Sequence, residues 1–97
     1  MDYVKRYEAA NGAGTVSASG AYTWDAGLLL QQTVPQALKS DQPGTRAFRL
    51  ALRDALEGIK DLPVSNGAVN MSKNDHLGLD QRARVIVEVV DGKWQLQ

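Results

Sequence analysis

The chain has 97 residues, 43% of them apolar, with 11 Lys and Arg against 11 Asp and Glu, one His and no Cys. Zero formal charge removes the basic footprint of a nucleic-acid binder, no run of ~18 apolar residues is available to cross a bilayer, and disulfide or thiolate chemistry is closed. What remains is one small globular domain or a piece of a larger one, held by packing alone, with a partner surface as an early expectation because a chain this short buries only about 60–70% of its unfolded surface.

Residues 1–7 open directly into a polar helical pattern, not a basic segment followed by an apolar run, so the chain reads as intracellular or as one whose secretory leader has been removed. A first helix is predicted over about 2–10, with Tyr3, Val4 and Tyr7 on one face and Asn11-Gly12-Ala13-Gly14 as its stop. Those glycines do not make a phosphate loop, since no strand precedes them and a third glycine is missing.

The second predicted helix, about 17–39, has Ser17 or Ser19 as candidate N-cap and a stripe of Ala18, Tyr22, Ala26, Leu29, Leu30, Thr33 and Ala37. Trp24, Leu28 and Leu38 lie off that stripe, so most of the helix is expected to be buried, and Pro35 predicts a kink near 31–34 or a break into two helices. After the Ser40 to Gly44 turn cluster, Gly44 or Thr45 caps a third helix over about 45–60. Its apolar face is Phe48, Ala51, Leu52, Ala55, Leu56 and Ile59. Arg46, Arg49, Arg53, Glu57 and Lys60 ring the outside, with an Arg53/Glu57 pair favoured over an anion site. Asp61-Leu62-Pro63 ends the helix.

Beyond Asn66-Gly67 the period changes to two. A short strand is predicted over about 68–71, a polar loop over 72–81, and strands over about 84–90 and 93–96 joined by the Asp91-Gly92 turn. A two-residue loop fixes the register as Val90 with Lys93, Val89 with Trp94, Glu88 with Gln95 and Val87 with Leu96. One face then carries Val85, Val87, Val89, Trp94 and Leu96, and it needs cover because an isolated hairpin is marginal in water. The fold class is therefore α+β, three main helices on a small, mainly antiparallel sheet ending in a C-terminal hairpin.

Catalytic chemistry finds no support. His76 lies beside Asp75, but neither Ser65 nor Ser72 sits in a nucleophile elbow, so a loop-capping histidine is the favoured reading. One His and scattered carboxylates supply no metal-ligand spacing, Asp75 and Asp80 do not reproduce a calcium loop, and no cofactor is implied.

The succession Tyr7-Glu8-Ala9-Ala10, Gly20-Ala21-Tyr22-Thr23-Trp24-Asp25-Ala26, Arg49 to Leu56, Asp75-His76-Leu77-Gly78 and Asp91-Gly92-Lys93-Trp94 resembles the C-terminal region of ABC-transporter substrate-binding proteins. The likeness is to the periplasmic binding protein type I group, the branched-chain amino acid or extracellular ligand-binding receptor family, and it covers nearly the whole chain. Complete members are several times longer, with two α/β lobes around a ligand cleft. The resemblance implies a non-enzymatic, periplasmic solute-binding component serving an ABC permease and taking amino acids or related organic acids. The helices would belong to the first lobe and the last strands would return toward the second, leaving no complete cleft here. By position, Ser17, Ser19 and Tyr22 resemble the ligand-lining part, although Ser17 and Ser19 as plain caps and Tyr22 as core stay open. The alternative is a small self-associating structural or interaction domain, a homodimer or domain-swapped dimer formed through the doubly apolar strand Val85 to Val90.

Overall fold

The computed structural model describes residues 2–97. Three helices come first: α1 (Asp2–Asn11), α2 (Ala18–Ala37) and α3 (Arg46–Glu57). α2 starts where Ser17, in extended backbone, accepts the Gly20 amide on its Oγ at 3.1 Å, and Thr45 caps α3 in the same way by accepting from Phe48 at 3.1 Å. Each cap satisfies an amide that has no acceptor within its own helix.

Both long helices are shorter than their sequence pattern. α2 ends at Ala37, not at 39, and it runs through Pro35 as one element, so of the two expected outcomes, a kink or a break into two helices, the break does not occur. Pro35 lies two residues from the helix end, so the single amide it withholds is lost where the ladder is about to stop. α3 ends at Glu57, not at 60, because the Ile59 carbonyl is claimed by the Met71 amide at 2.9 Å and the chain turns away. The Arg53/Glu57 pair does not form. Arg53 bonds its neighbour Asp54 instead, and Glu57, mostly covered, meets His76 Nε2 at 3.2 Å.

The strands make two separate antiparallel hairpins. β1 (Leu62–Val64) and β2 (Gly67–Val69) pair across a Ser65-Asn66 turn, so the strand expected over 68–71 sits at 67–69 and has a partner that three residues around Pro63 did not announce. The predicted loop after it folds back on β2 through a Val69–Leu79 bridge and the Asn70 amide on Gly78 O, then forms a 3-10 turn over Gln81–Ala83. β3 (Val87–Val90), shorter than the expected 84–90, and β4 (Lys93–Leu96) pair in the register the turn dictates. Asp91 at φ 50° and Gly92 at φ 72° supply the two left-handed residues that such a tight turn requires.

The α+β class holds, with α2 and α3 packed against each other, β1 against α2, and the C-terminal hairpin clear of the helix layer. α2 is not buried on most of its surface as expected: Ala21, Asp25, Thr33 and Ala37 are buried, but Tyr22 is 57% and Leu30 46% exposed. The apolar core is small, centred on Tyr3, Ala21, Ala37, Ile59, Ala68 and Val69. Accessible surface reaches 7206 Å², whereas a compact monomer of this mass exposes about 5,400 Å². The radius of gyration is 16.8 Å against about 12.5 Å for a compact domain of this length. Apolar faces thus stand open that a compact fold of these residues would cover.

Candidate functional site

The first turn of α2 is assembled by residues from two helices. Tyr3 of α1 lies across it, its ring 5.6 Å from Trp24 and 5.6 Å from Tyr7, while the Arg6 guanidinium sits 5.4 Å from the Trp24 ring centre. Gly20 permits this approach, because a Cβ there would stand 2.5 Å from the Tyr3 hydroxyl. Tyr3 is 3% exposed, and its hydroxyl is a buried polar atom without a hydrogen-bond partner among the described residues. Burial pushes its phenol above the usual tyrosine range, and Tyr7 adds to the shift.

Of the leading amides of α2, Gly20 donates to Ser17 Oγ and Ala21 to Ser17 O. Those of Ala18 and Ser19 receive no acceptor among the described residues. No acidic side chain occupies this first turn, so the positive end of a 20-residue helix dipole is left uncompensated. The sequence-predicted residues meet here with different duties. Ser17 is the N-cap, which settles its cap role. Ser19 is exposed, and Tyr22 is exposed and so is not core.

Along the same helix face, Tyr22 leads by three-and-four steps to Ala26, Leu29 and Leu30. These last three form one wall of an open groove of about 510 Å³, with Leu52 and Leu56 of α3 opposite. Met71 and His76 close one side, and Arg49 and Arg53 supply its charged rim. The groove begins at Ala26, about two turns along α2 from its polar terminus, and none of Ser17, Ser19 or Tyr22 lines it. The terminus suits an anionic group, and the groove suits an apolar body.

Two polar clusters fix the geometry behind this surface. Asp25, 8% exposed, accepts the Ser65 amide on Oδ1 at 2.8 Å and the Ser65 hydroxyl on Oδ2 at 2.6 Å, clamping the β1–β2 turn to α2. Sequence reading missed this pair, since an Asp inside a helix and a Ser 40 positions later share no local signal. Further along, Arg82 bridges Asp80 and Asp61 at 2.6 Å each, and the Asp61 amide donates to Asn70 Oδ1. The Arg82 hydrogen bonds hold Asp80 down to about 2 and also lower Asp61. This guanidinium fills the place where a cation between the two carboxylates would sit, and no cluster of metal-ligating side chains occurs among the described residues. His76 is tied to Glu57 and lies near neither Ser65 nor Ser72 in any hydrogen bond.

No protein-family profile and no curated protein matches the chain. Solved structures do. An extracellular ligand-binding receptor from Rhodopseudomonas palustris matches with a TM-score of 0.84 at 39% identity, over 97% of this chain and 26% of the receptor. Two extracellular ligand-binding receptors from Rhodopseudomonas palustris HaA2 match at TM-scores of 0.84 and 0.80, with 35% and 40% identity over 96% and 97% of this chain, and again 26% of theirs. Three helices, two antiparallel hairpins and an open helix terminus thus define a segment of a ligand-binding fold. The chain is similar in fold and sequence to a segment of extracellular ligand-binding receptors, and it spans about a quarter of the length of those it matches.

Proposed function

We propose that this chain is the C-terminal portion of a non-catalytic solute-binding component of an ABC importer, working in the periplasm and taking amino acids or other small organic acids. The observation that carries the reading is the likeness to extracellular ligand-binding receptors across almost the entire chain. Local geometry supports the ligand class: free amides at the start of α2, no acidic residue in its first turn, and an apolar groove further along the same helix. In this reading Ser17 holds the helix terminus in shape, Ser19 and Tyr22 face the ligand, and a carboxylate sits against the Ala18 and Ser19 amides. The C-terminal hairpin, clear of the helices, serves the second lobe, and a permease partner completes the importer.

The test is titration calorimetry on a complete receptor carrying this segment, against a panel of amino acids and small aliphatic and aromatic carboxylates. One-site binding, weakened by Tyr22→Ala and by Ser19→Asp, is expected, with no binding by the 97-residue chain alone. Tight binding by the isolated chain, or a complete receptor indifferent to both substitutions, overturns it.

A further inference from the structure

Stability alone does not explain why a tyrosine stands at position 3. Its buried hydroxyl has no hydrogen-bond partner among the described residues. A phenylalanine would make the same ring contacts with Tyr7 and Trp24 and leave no polar atom unsatisfied. The hydroxyl points at one place. A Cβ on Gly20 would stand 2.5 Å from it and 3.3 Å from Ser17 Oγ, and in a helix that Cβ tilts toward the N-terminus. The Tyr3 oxygen therefore lies against the first turn of α2, beside the residues that carry the free Ala18 and Ser19 amides.

We infer that Tyr3 is a positioning residue of the ligand site, its hydroxyl acting as a spacer whose contact with Gly20 sets where the first turn of α2 presents the Ala18 and Ser19 amides. This role rests on the reading of that turn as the carboxylate site. Among the described residues no hydrogen bond joins α1 to α2: those of α1 stay within the helix or reach its own Gly12–Gly14 turn. What fixes the turn against α1 is therefore contact, through the Tyr3 ring on Trp24 and the Arg6 guanidinium over the same indole.

That contact is stiff. The Tyr3 ring is 3% exposed and wedged between Tyr7 and Trp24, so a group added at Gly20 finds no free volume on the α1 side. A methyl group 2.5 Å from the hydroxyl sits about 0.9 Å inside the 3.4 Å at which ordinary van der Waals contact begins. The first turn, whose leading amides have no helical acceptor, is the part that shifts. A carboxylate–amide hydrogen bond of about 2.9 Å stretched by that much passes out of hydrogen-bond range.

Titration calorimetry on a complete receptor carrying this segment, with L-leucine, L-phenylalanine, isovalerate and benzoate as probes, tests this beside the melting temperature of each variant. Gly20→Ala should weaken binding by roughly 10- to 100-fold, the worth of one hydrogen bond to a charged group. Tyr3→Phe should raise the melting temperature and yet weaken binding several-fold, because the unsatisfied hydroxyl and the spacer leave together. The double variant should return to within about threefold of wild type. With the hydroxyl gone, the added methyl meets the ring Cζ at 3.7 Å, an ordinary contact, and takes the spacer's place, while Ser17 Oγ at 3.3 Å needs only a small adjustment. A purely structural role would make affinity follow stability and would give no such reversal. Single variants that bind like wild type, or a double variant no better than Gly20→Ala, overturn the positioning role. If Tyr22→Ala and Ser19→Asp weaken binding in that same receptor, the carboxylate reading survives that failure. A receptor that binds none of the four probes, or is indifferent to all four substitutions, overturns the reading and the positioning role together.

Discussion

The clamp between Asp25 and Ser65 predicts a large loss of stability when it is broken. Asp25→Ala removes both acceptors from the Ser65 amide and hydroxyl, which lie 2.8 Å and 2.6 Å from the carboxylate oxygens. Hydrogen bonds to a charged group contribute about 1.5–3 kcal/mol each, so the pair bounds the loss at about 3–6 kcal/mol. Both residues keep 8% of their surface, which lets water reach part of the vacated space and brings the expected cost to about 3 kcal/mol. For a domain of this length each kcal/mol moves the midpoint by roughly 4–8 °C, so the thermal unfolding midpoint followed by far-UV circular dichroism should fall by roughly 12–24 °C. Ser65→Ala removes one of the two bonds and costs about 1–2 kcal/mol. The double variant should then show a coupling of about 1 kcal/mol, because the two residues share one contact. An Asp25→Ala loss below about 0.5 kcal/mol, or strictly additive single variants, would show that the β1–β2 turn is held by something else.

The remaining predictions concern α1 and the Arg82 network. Tyr3→Phe removes a buried hydroxyl that has no partner, so the variant should melt a few degrees higher than wild type, whereas Gly20→Ala should melt lower by driving a methyl group into that hydroxyl. In the Tyr3→Phe background Gly20→Ala should cost clearly less, and an unchanged cost would place the clash elsewhere. Arg82 holds Asp80 at about 2, below its usual 3.8, so its stabilisation is complete above about pH 4 and disappears as pH falls through about 2. Urea unfolding of wild type and Arg82→Ala should therefore differ at neutral pH and converge toward pH 2. A gap that stays constant down to that pH would mean that Arg82 acts through packing instead of charge.

The likeness among residues lies in what each stretch carries locally. Ser17 and Thr45 were legible as caps because an N-cap needs only its own hydroxyl and an amide three residues on. The final hairpin, its Asp91-Gly92 turn and its four cross-strand pairs followed from the same locality, since a two-residue loop leaves one register. The apolar face of α3 was likewise readable from period alone, and all of its members are at least half-buried.

Tertiary structure decided the rest. Where α3 stops depended on Ile59 O meeting Met71 N, and whether Pro35 broke α2 depended on its distance from the helix end. For the candidate site, Ser17, Ser19 and Tyr22 were placed by resemblance, but the unpaired Tyr3 hydroxyl and the Asp25–Ser65 clamp come from residues far apart in the chain. Burial was the least legible quantity. Apolar periodicity marks a face that seeks cover, yet cover is supplied by whatever packs against it, and along much of α2 and most of the C-terminal hairpin nothing among the described residues does.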